Sequence, residues 1–258
     1  MFKNIFEYYL RQKRHRGKSR IVKAVLSVFP FKTIKSHYGV SLSCNSKDKT
    51  NIYAISGDYG YIIYDHIKSL TPDSIFIDIG ANYGLYSNLA AKHLYAGKVL
   101  SFEPNPYIYF HYLRALEKNN FKNIIPFHCA VGKNNDLLSL SYDKNHSGVS
   151  SLEHQYNRES ITVPVFNIVQ WNLLNFLNEE NKIHIKIDVE GYETEIIKVL
   201  KTAQWFKNVQ SIIIEIDNEN LKSFGSSAEE LYNILKNSDL KPKIGLDSTK
   251  HYDEIFYK

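Results

Sequence analysis

SIFIDIGANYGLYSNLAAKHLYAGKVLSFEP, residues 74–104, carries the alternation that decides the fold. Residues 74–80 form a near-continuous apolar run, the pattern of a strand covered on both faces. Gly80 and Gly84 bracket a turn, residues 83–95 take up a helical period, and a second strand follows over 98–104. The rhythm continues outward. Upstream, 57–70 reads as a helix stopped by Thr71-Pro72; downstream come a helix over 106–120 and a strand over 123–132. After residue 182 the pattern resumes with strands at 183–189 and 209–217, helices at 194–206 and 226–238, and closing strands at 241–245 and 253–258. Short connections between alternating elements imply an α/β fold with a doubly wound, mostly parallel sheet, and the last strand is expected to enter antiparallel.

Between these halves, 137–142 and 161–168 flank a polar loop and read as an inserted strand pair within 137–168. The domain boundaries that follow are a basic extension over 1–55 and one domain over 56–258. Residues 1–35 hold ten Lys and Arg against Glu7, a net of +9, leaving 22 basic and 26 acidic residues, or −4, for the remainder. Such an arm reads first as a solvated helical face and second as a contact for an anionic lipid surface, a glycolipid or an acidic partner. Hydrophobic residues make up 43% and aromatics 14% of the 258 residues, which argues against disorder. Cys44 and Cys129 lack any paired or zinc-ligand spacing, so a reducing cytoplasm is expected. The run 21–31 falls short of the ~20 apolar residues a bilayer span needs, and no secretory signal is visible. A cytoplasmic chain is expected, with peripheral contact at the inner membrane face as the basic arm's alternative; self-association is left open.

Ligands of open α/β sheets bind beyond the carboxyl ends of the strands. There Asp78 ends the first strand, Gly80-Ala81-Asn82-Tyr83-Gly84 forms the turn, and Glu103 closes the next strand, where an acid can accept both hydroxyls of a ribose. The turn lacks the paired glycines of a dinucleotide fingerprint, and an acid ahead of the glycine suits a cationic ligand. S-adenosylmethionine, with its ammonium and sulfonium, is favoured over NAD on these grounds.

Three stretches in order, FIDIGANYGLYS (76–87), LSFEPNP (100–106) and IKIDVEGYE (185–193), resemble the FkbM family of S-adenosylmethionine-dependent methyltransferases. The resemblance runs from about residue 74 to 200 and implies a Rossmann-like seven-stranded sheet and O-methylation of hydroxyls on sugars, polyketides or glycolipids. It also implies that Asp78, Gly80, Asn82 and Gly84 line the methionine end of the cofactor, with Ala81 and Tyr83 in the same turn. Glu103 would hold the ribose, Pro104 and Asn105 would shape the turn beside it, and Ala130 and Val131 would lie near the adenine. One departure stands out: FNIVQW (166–171) replaces the Thr-Leu-Asp step of many members.

Transfer to a hydroxyl needs its proton removed, and Asp188, at a strand end near the cofactor, is the leading base. Lys186 shares its side of the strand, Glu190 lies two residues on, and Glu193 is expected to point back toward the crevice. An alternative lets Asp188 and Glu190 bind a divalent cation such as Mg²⁺, although no further ligand is identifiable from spacing. A plainer reading makes Glu190 and Glu193 first-turn helix acids. His146 is a second candidate base, and Ser147 with Gly148 is placed over the cofactor's carboxylate. Tyr107, Tyr109 and Glu215 are further substrate contacts by position. The expected function is therefore O-methylation of a sugar hydroxyl, nucleotide-activated or within a surface glycan or glycolipid. NAD-dependent oxidation and an inactive cofactor-binding scaffold are the alternatives. Nucleic acid is not expected as a substrate, since no NPPY-type signature is present.

Overall fold

The computed structural model describes residues 1–152, 158–171 and 181–258. The chain opens with helices α1 (Phe2–Leu10) and α2 (Lys18–Val28), strands β1 (Thr33–Lys35) and β2 (Ser41–Ser43), and helix α3 (Lys49–Ser56). Then follow α4 (Tyr61–Ser69), β3 (Ile75–Ile79), α5 (Leu85–His93), β4 (Lys98–Phe102), α6 (Pro106–Asn119) and β5 (Ile124–Phe127). The middle contains β6 (Ala130–Val131), β7 (Asp136–Tyr142) and β8 (Glu159–Phe166). The last part contains β9 (Ile183–Ile187), α7 (Glu193–Leu200), β10 (Val209–Ile216), α8 (Asn218–Ser223), α9 (Ala228–Lys236), β11 (Lys241–Pro242) and β12 (Tyr252–Tyr257).

Seven strands form one sheet in the order β11-β12-β10-β9-β3-β4-β5. The five strands from β10 to β5 are parallel, while β12 runs antiparallel to both β10 and β11. From β3 the chain steps outward through β4 to β5, then returns to β9 on β3's other side. The strand order therefore reverses at β3, and a crevice opens beyond the carboxyl ends of β3, β4 and β9.

Alternation along the strands gives the sheet two unlike faces. One buries Ile75, Ile77 and Ile79 of β3, Ile183, Ile185 and Ile187 of β9, and Ile212 and Ile214 of β10. The other carries Phe76, Val99 and Ile213 and packs on α4, α5 and the N-terminal extension, whose Phe6, Leu10, Val22, Ile34 and Ile52 join the same cluster. This second face also buries a polar band. Register sets Asp78 opposite both Ser101 and Lys186, and His184 opposite Ser211. Buried polar groups call for partners, and most of these have one, although Asp78 Oδ1 has only the charge of Lys186 and no hydrogen bond among the described residues. Lys186 Nζ lies 3.6 Å from Asp78, Ser87 donates to Asp78, and His66 and His184 both bond Ser211 Oγ at 2.7 Å.

Several element bounds differ from the sequence reading. The helix expected over 57–70 starts at Tyr61, because Gly57 ends α3 and Gly60 opens α4. The strand expected over 123–132 is two strands. Residues Ile124–Phe127 pair with β4 at the sheet edge, where Pro126 is tolerated, while Ala130–Val131 leave to pair parallel with β8. The inserted strand pair is consequently a three-stranded sheet, β6-β8-β7. The helix expected to reach 206 stops at Leu200, and only Lys241–Pro242 of 241–245 is strand. Part of the intervening loop, 153–157, lies outside the described residues.

Candidate active site

A cleft of about 650 Å³ occupies the crevice at the strand ends. Its floor is the turn after β3. Gly80 has φ +80°, and a Cβ there would stand 1.9 Å from the Asp188 carbonyl oxygen, so only glycine lets β3 and β9 end side by side. Asn82, itself at φ 51°, donates its N–H to Glu103 Oε2 at 2.8 Å. The other Glu103 oxygen accepts Asn105 N–H at 2.8 Å. Glu103 is 5% exposed, and burial pushes its carboxyl up to about 7 although both backbone bonds pull it down.

The cofactor-side residues named from the sequence fall into two groups. Gly80, Ala81, Asn82, Tyr83, Glu103, Pro104, Ala130, Val131 and Ser147 all line the cleft. Asp78, Gly84 and Asn105 do not; they stand behind it. Asp78 is fully buried and paired with Lys186, with burial raising its carboxyl against that partner's pull. Gly84 packs on Tyr112, where a Cβ would lie 2.1 Å from the ring, and it opens α5. Asn105 caps α6 by accepting from Tyr107 and Ile108 N–H. Tyr107 and Tyr109 lie off the cleft, the latter stacked on His128.

The acids after β9 separate in the same way. Asp188 enters the cleft with its side chain 34% exposed, 3.0 Å from Lys186 Nζ. Lys186 also donates to Gly80 O at 2.9 Å. Burial alone would depress its ammonium, yet Asp188 and Asp78 together lift it above the ordinary lysine range. Glu190 is held at φ 59°, a left-handed conformation uncommon for a side-chain-bearing residue, and accepts Asn220 Nδ2 at 2.8 Å. Glu193 departs from expectation. Instead of facing the crevice it turns back beneath it, 1% exposed, and accepts the N–H groups of Val189 and Gly191. An acid there satisfies the donors of a tight turn that would otherwise be orphaned.

Glu215 of β10, Asp217 just after it and Asp253 of β12 add three more cleft acids. Asp188, Glu190 and Glu215 each offer an oxygen within 4.8 Å of the others. So many carboxylates cannot all ionise without a counter-charge. Glu190 is raised by burial and then by Glu215 and Asp188; Glu215 is raised by burial and Asp188, against the pull of His251. Asp253 rises to about 6, chiefly through burial. His251 bonds Glu215 at 2.7 Å and is raised by it.

The opposite wall comes from the extension. Asp48, fully buried, caps α3 and accepts Tyr83 OH at 3.0 Å and Ser147 N–H at 3.3 Å. Ser147 Oγ donates to Asn82 at 3.1 Å, which ties the 143–150 loop to the turn. Thr50 and Tyr53 of α3 line the cleft with His146, whose imidazole is depressed by burial first and Lys49 second. Asp48, His251 and Asp253 were not singled out from the sequence. Each is a lone residue brought in from 35 to 65 positions away, and no spacing marks it.

A mostly parallel seven-stranded sheet with an acid-bearing cleft at its switch point defines a class I methyltransferase fold. The model of the methyltransferase FkbM domain matches residues 78–241, and the chain belongs to that family of enzymes. It is 23% identical over 171 residues to Methyltransferase 1 of Beauveria bassiana (strain ARSEF 2860), spanning 59% of this chain and 68% of that protein. It is 25% identical over 205 residues to methyltransferase sdnD of Sordaria araneosa, spanning 65% and 79% respectively. Among solved structures, precorrin-6y C5,15-methyltransferase of Geobacter metallireducens GS-15 is similar at TM-score 0.44 and 15% identity, covering 76% of this chain and 86% of that one.

Proposed function

We propose that this methyltransferase uses S-adenosylmethionine to methylate a sugar hydroxyl. The observation that carries the proposal is Asp188, a carboxylate at the carboxyl end of β9 that enters the cleft beside the Gly80 turn. The donor set fits the cofactor. Glu103 has one backbone donor on each oxygen, leaving acceptor sites for a ribose diol, and Ala130 and Val131 give an apolar rest for an adenine. The acids beyond β3 suit the cofactor's positive charge. When bound, it supplies an electrophilic methyl group.

The chain's own residues then act on the acceptor. As carboxylate, Asp188 takes the hydroxyl proton, help of a kind typically worth ~10²–10⁴-fold. Lys186, fixed by Asp78 and the Gly80 carbonyl, holds Asp188 in place. Glu190, raised by burial and then by Glu215 and Asp188, can in its protonated form donate to a second sugar hydroxyl while accepting from Asn220. A wall of five acidic side chains, only part of it ionised, still disfavours phosphate near the reacting hydroxyl, so a neutral, hydroxyl-rich part of the acceptor belongs there.

One observation supports a second reading, in which a divalent cation such as Mg²⁺ acidifies the hydroxyl. Asp188, Glu190 and Glu215 converge within 4.8 Å, and Glu215 Oε2 is buried without a hydrogen-bond partner among the described residues. The test is turnover of S-adenosylmethionine to S-adenosylhomocysteine across a panel of glycans and sugar nucleotides, with and without EDTA. Turnover indifferent to EDTA but reduced at least 100-fold in Asp188→Asn, with cofactor affinity kept, supports the base. Turnover abolished by EDTA and restored by Mg²⁺ replaces it with the cation. Cofactor binding without turnover of any sugar, but with turnover of a non-carbohydrate hydroxyl, refutes the sugar assignment.

A further inference from the structure

The antiparallel hairpin of α1 and α2 buries one face of each helix and leaves another apolar face outside. Phe6 and Leu10 of α1, and Val22 and Leu26 of α2, point into the core. Phe2, Ile5 and Tyr8 recur every third residue on α1, and Ile21, Ala24 and Val28 at intervals of three and four on α2, so each set occupies one helix face. These faces are open: Ile5 is 58% exposed and Val28 71%. They meet where the Phe2 and Phe29 rings lie 4.3 Å apart.

The arm that carries these faces is strongly basic. Three of the arm's ten basic residues are engaged by other groups of the chain. Lys18 is buried on the Leu10 and Gln12 carbonyls, Arg14 pairs with Asp58 at 3.4 Å, and Lys3 lies 3.9 Å from Glu7. Arg11, Lys13, Arg16, Arg20, Lys23 and Lys32 are exposed and make no ion pair among the described residues. Arg20 and Lys23 form a row directly beside the Ile21–Ala24–Val28 face.

Apolar side chains flanked by unneutralised lysine and arginine are the chemistry of a surface that lies in the interface of an anionic bilayer. Helices of 9 and 11 residues are too short to cross one, and no described helix is long and apolar enough to do so. A second copy of the chain would present the same +9 arm and be repelled. We propose that the α1–α2 hairpin is a membrane-docking surface that seats the protein on anionic lipid. The packing of α2 against α3, whose Thr50 and Tyr53 line the cleft, sets the lipid surface one helix layer from the site.

The test is co-sedimentation of the full chain with vesicles of phosphatidylcholine alone, or with one third phosphatidylglycerol. The expected result is binding to the anionic vesicles only, weakened by salt. At about five-fold per charge, Arg20→Gln with Lys23→Gln should weaken it ~25-fold, and Ile5→Ser with Val28→Ser about ten-fold or more. Both variants should keep the parent's melting temperature and S-adenosylhomocysteine affinity, which separates lost docking from lost fold. Equal binding to neutral vesicles, no binding to anionic ones, or anionic binding unchanged in both variants would overturn the proposal. So would a dimer in sedimentation equilibrium that Ile5→Ser with Val28→Ser dissolves, which would give the face to a second copy.

Discussion

Replacing Lys186 by Met keeps the side chain's volume and removes a charge that two carboxylates share. Lys186 is 2% exposed and Asp78 fully buried. At 3.6 Å and 3.0 Å, the attractions to Asp78 and Asp188 are each about 5 kcal/mol at an effective dielectric of ~20. Those are gross values, because desolvation offsets much of them. The net loss on breaking a buried pair from one side is about 3–5 kcal/mol, since a carboxylate is left buried and uncompensated. For a chain of this size that lowers Tm by roughly 6–20 °C. Asp78→Asn in the Lys186→Met background removes the stranded charge while an amide oxygen can still accept from Ser87. The double variant should regain at least ~2 kcal/mol. Urea denaturation of the parent, both single variants and the double variant measures the cycle. A loss below ~1 kcal/mol in Lys186→Met, or a double variant no more stable than it, would refute the account of Lys186 as the charge that makes Asp78 tolerable.

Glu103→Ala should weaken S-adenosylhomocysteine binding about 10–100-fold by calorimetry, because it removes a carboxyl acceptor and frees two backbone donors. Gly80→Ala should abolish cofactor binding and lower stability by more than ~2 kcal/mol, since the new Cβ meets a main-chain carbonyl that cannot swing away. Acid should destabilise the fold through His66 and His184, depressed by burial from 6.5 to about 4 and about 3. Both are neutral in the folded and unfolded chain above ~6.5. As pH falls below that value only the unfolded chain takes up protons, so stability drops by about 2 kcal/mol per histidine at pH 5. His184→Gln should flatten this slope in melting curves between ~pH 6.5 and ~4.

The parallel sheet was legible because doubly covered strands write themselves as unbroken apolar runs. The lining of the cleft was legible where neighbouring residues share one turn, as along Gly80–Tyr83 and Asp188–Glu190. The break between Phe127 and Ala130 was not. NIIPFHCAVG is continuous in hydropathy, and its two ends differ only in which strand they pair with. Glu193 shows a similar limit, because side-chain type and spacing do not reveal whether an acid faces a ligand or the backbone donors behind it. Asp48 carried no local mark at all. Its role exists only once α3 has folded against the turn after β3.

That last contact ties the N-terminal extension to the turn after β3. Asp48 holds Tyr83 and Ser147, so one carboxylate from the extension fastens the turn and the loop that faces it. A chain begun at residue 56 would keep every residue of the family match and lose one side of its binding cleft. The wall of this cleft therefore extends beyond the stretch by which the family is recognised, and a chain begun at residue 56 should lose S-adenosylhomocysteine binding in calorimetry.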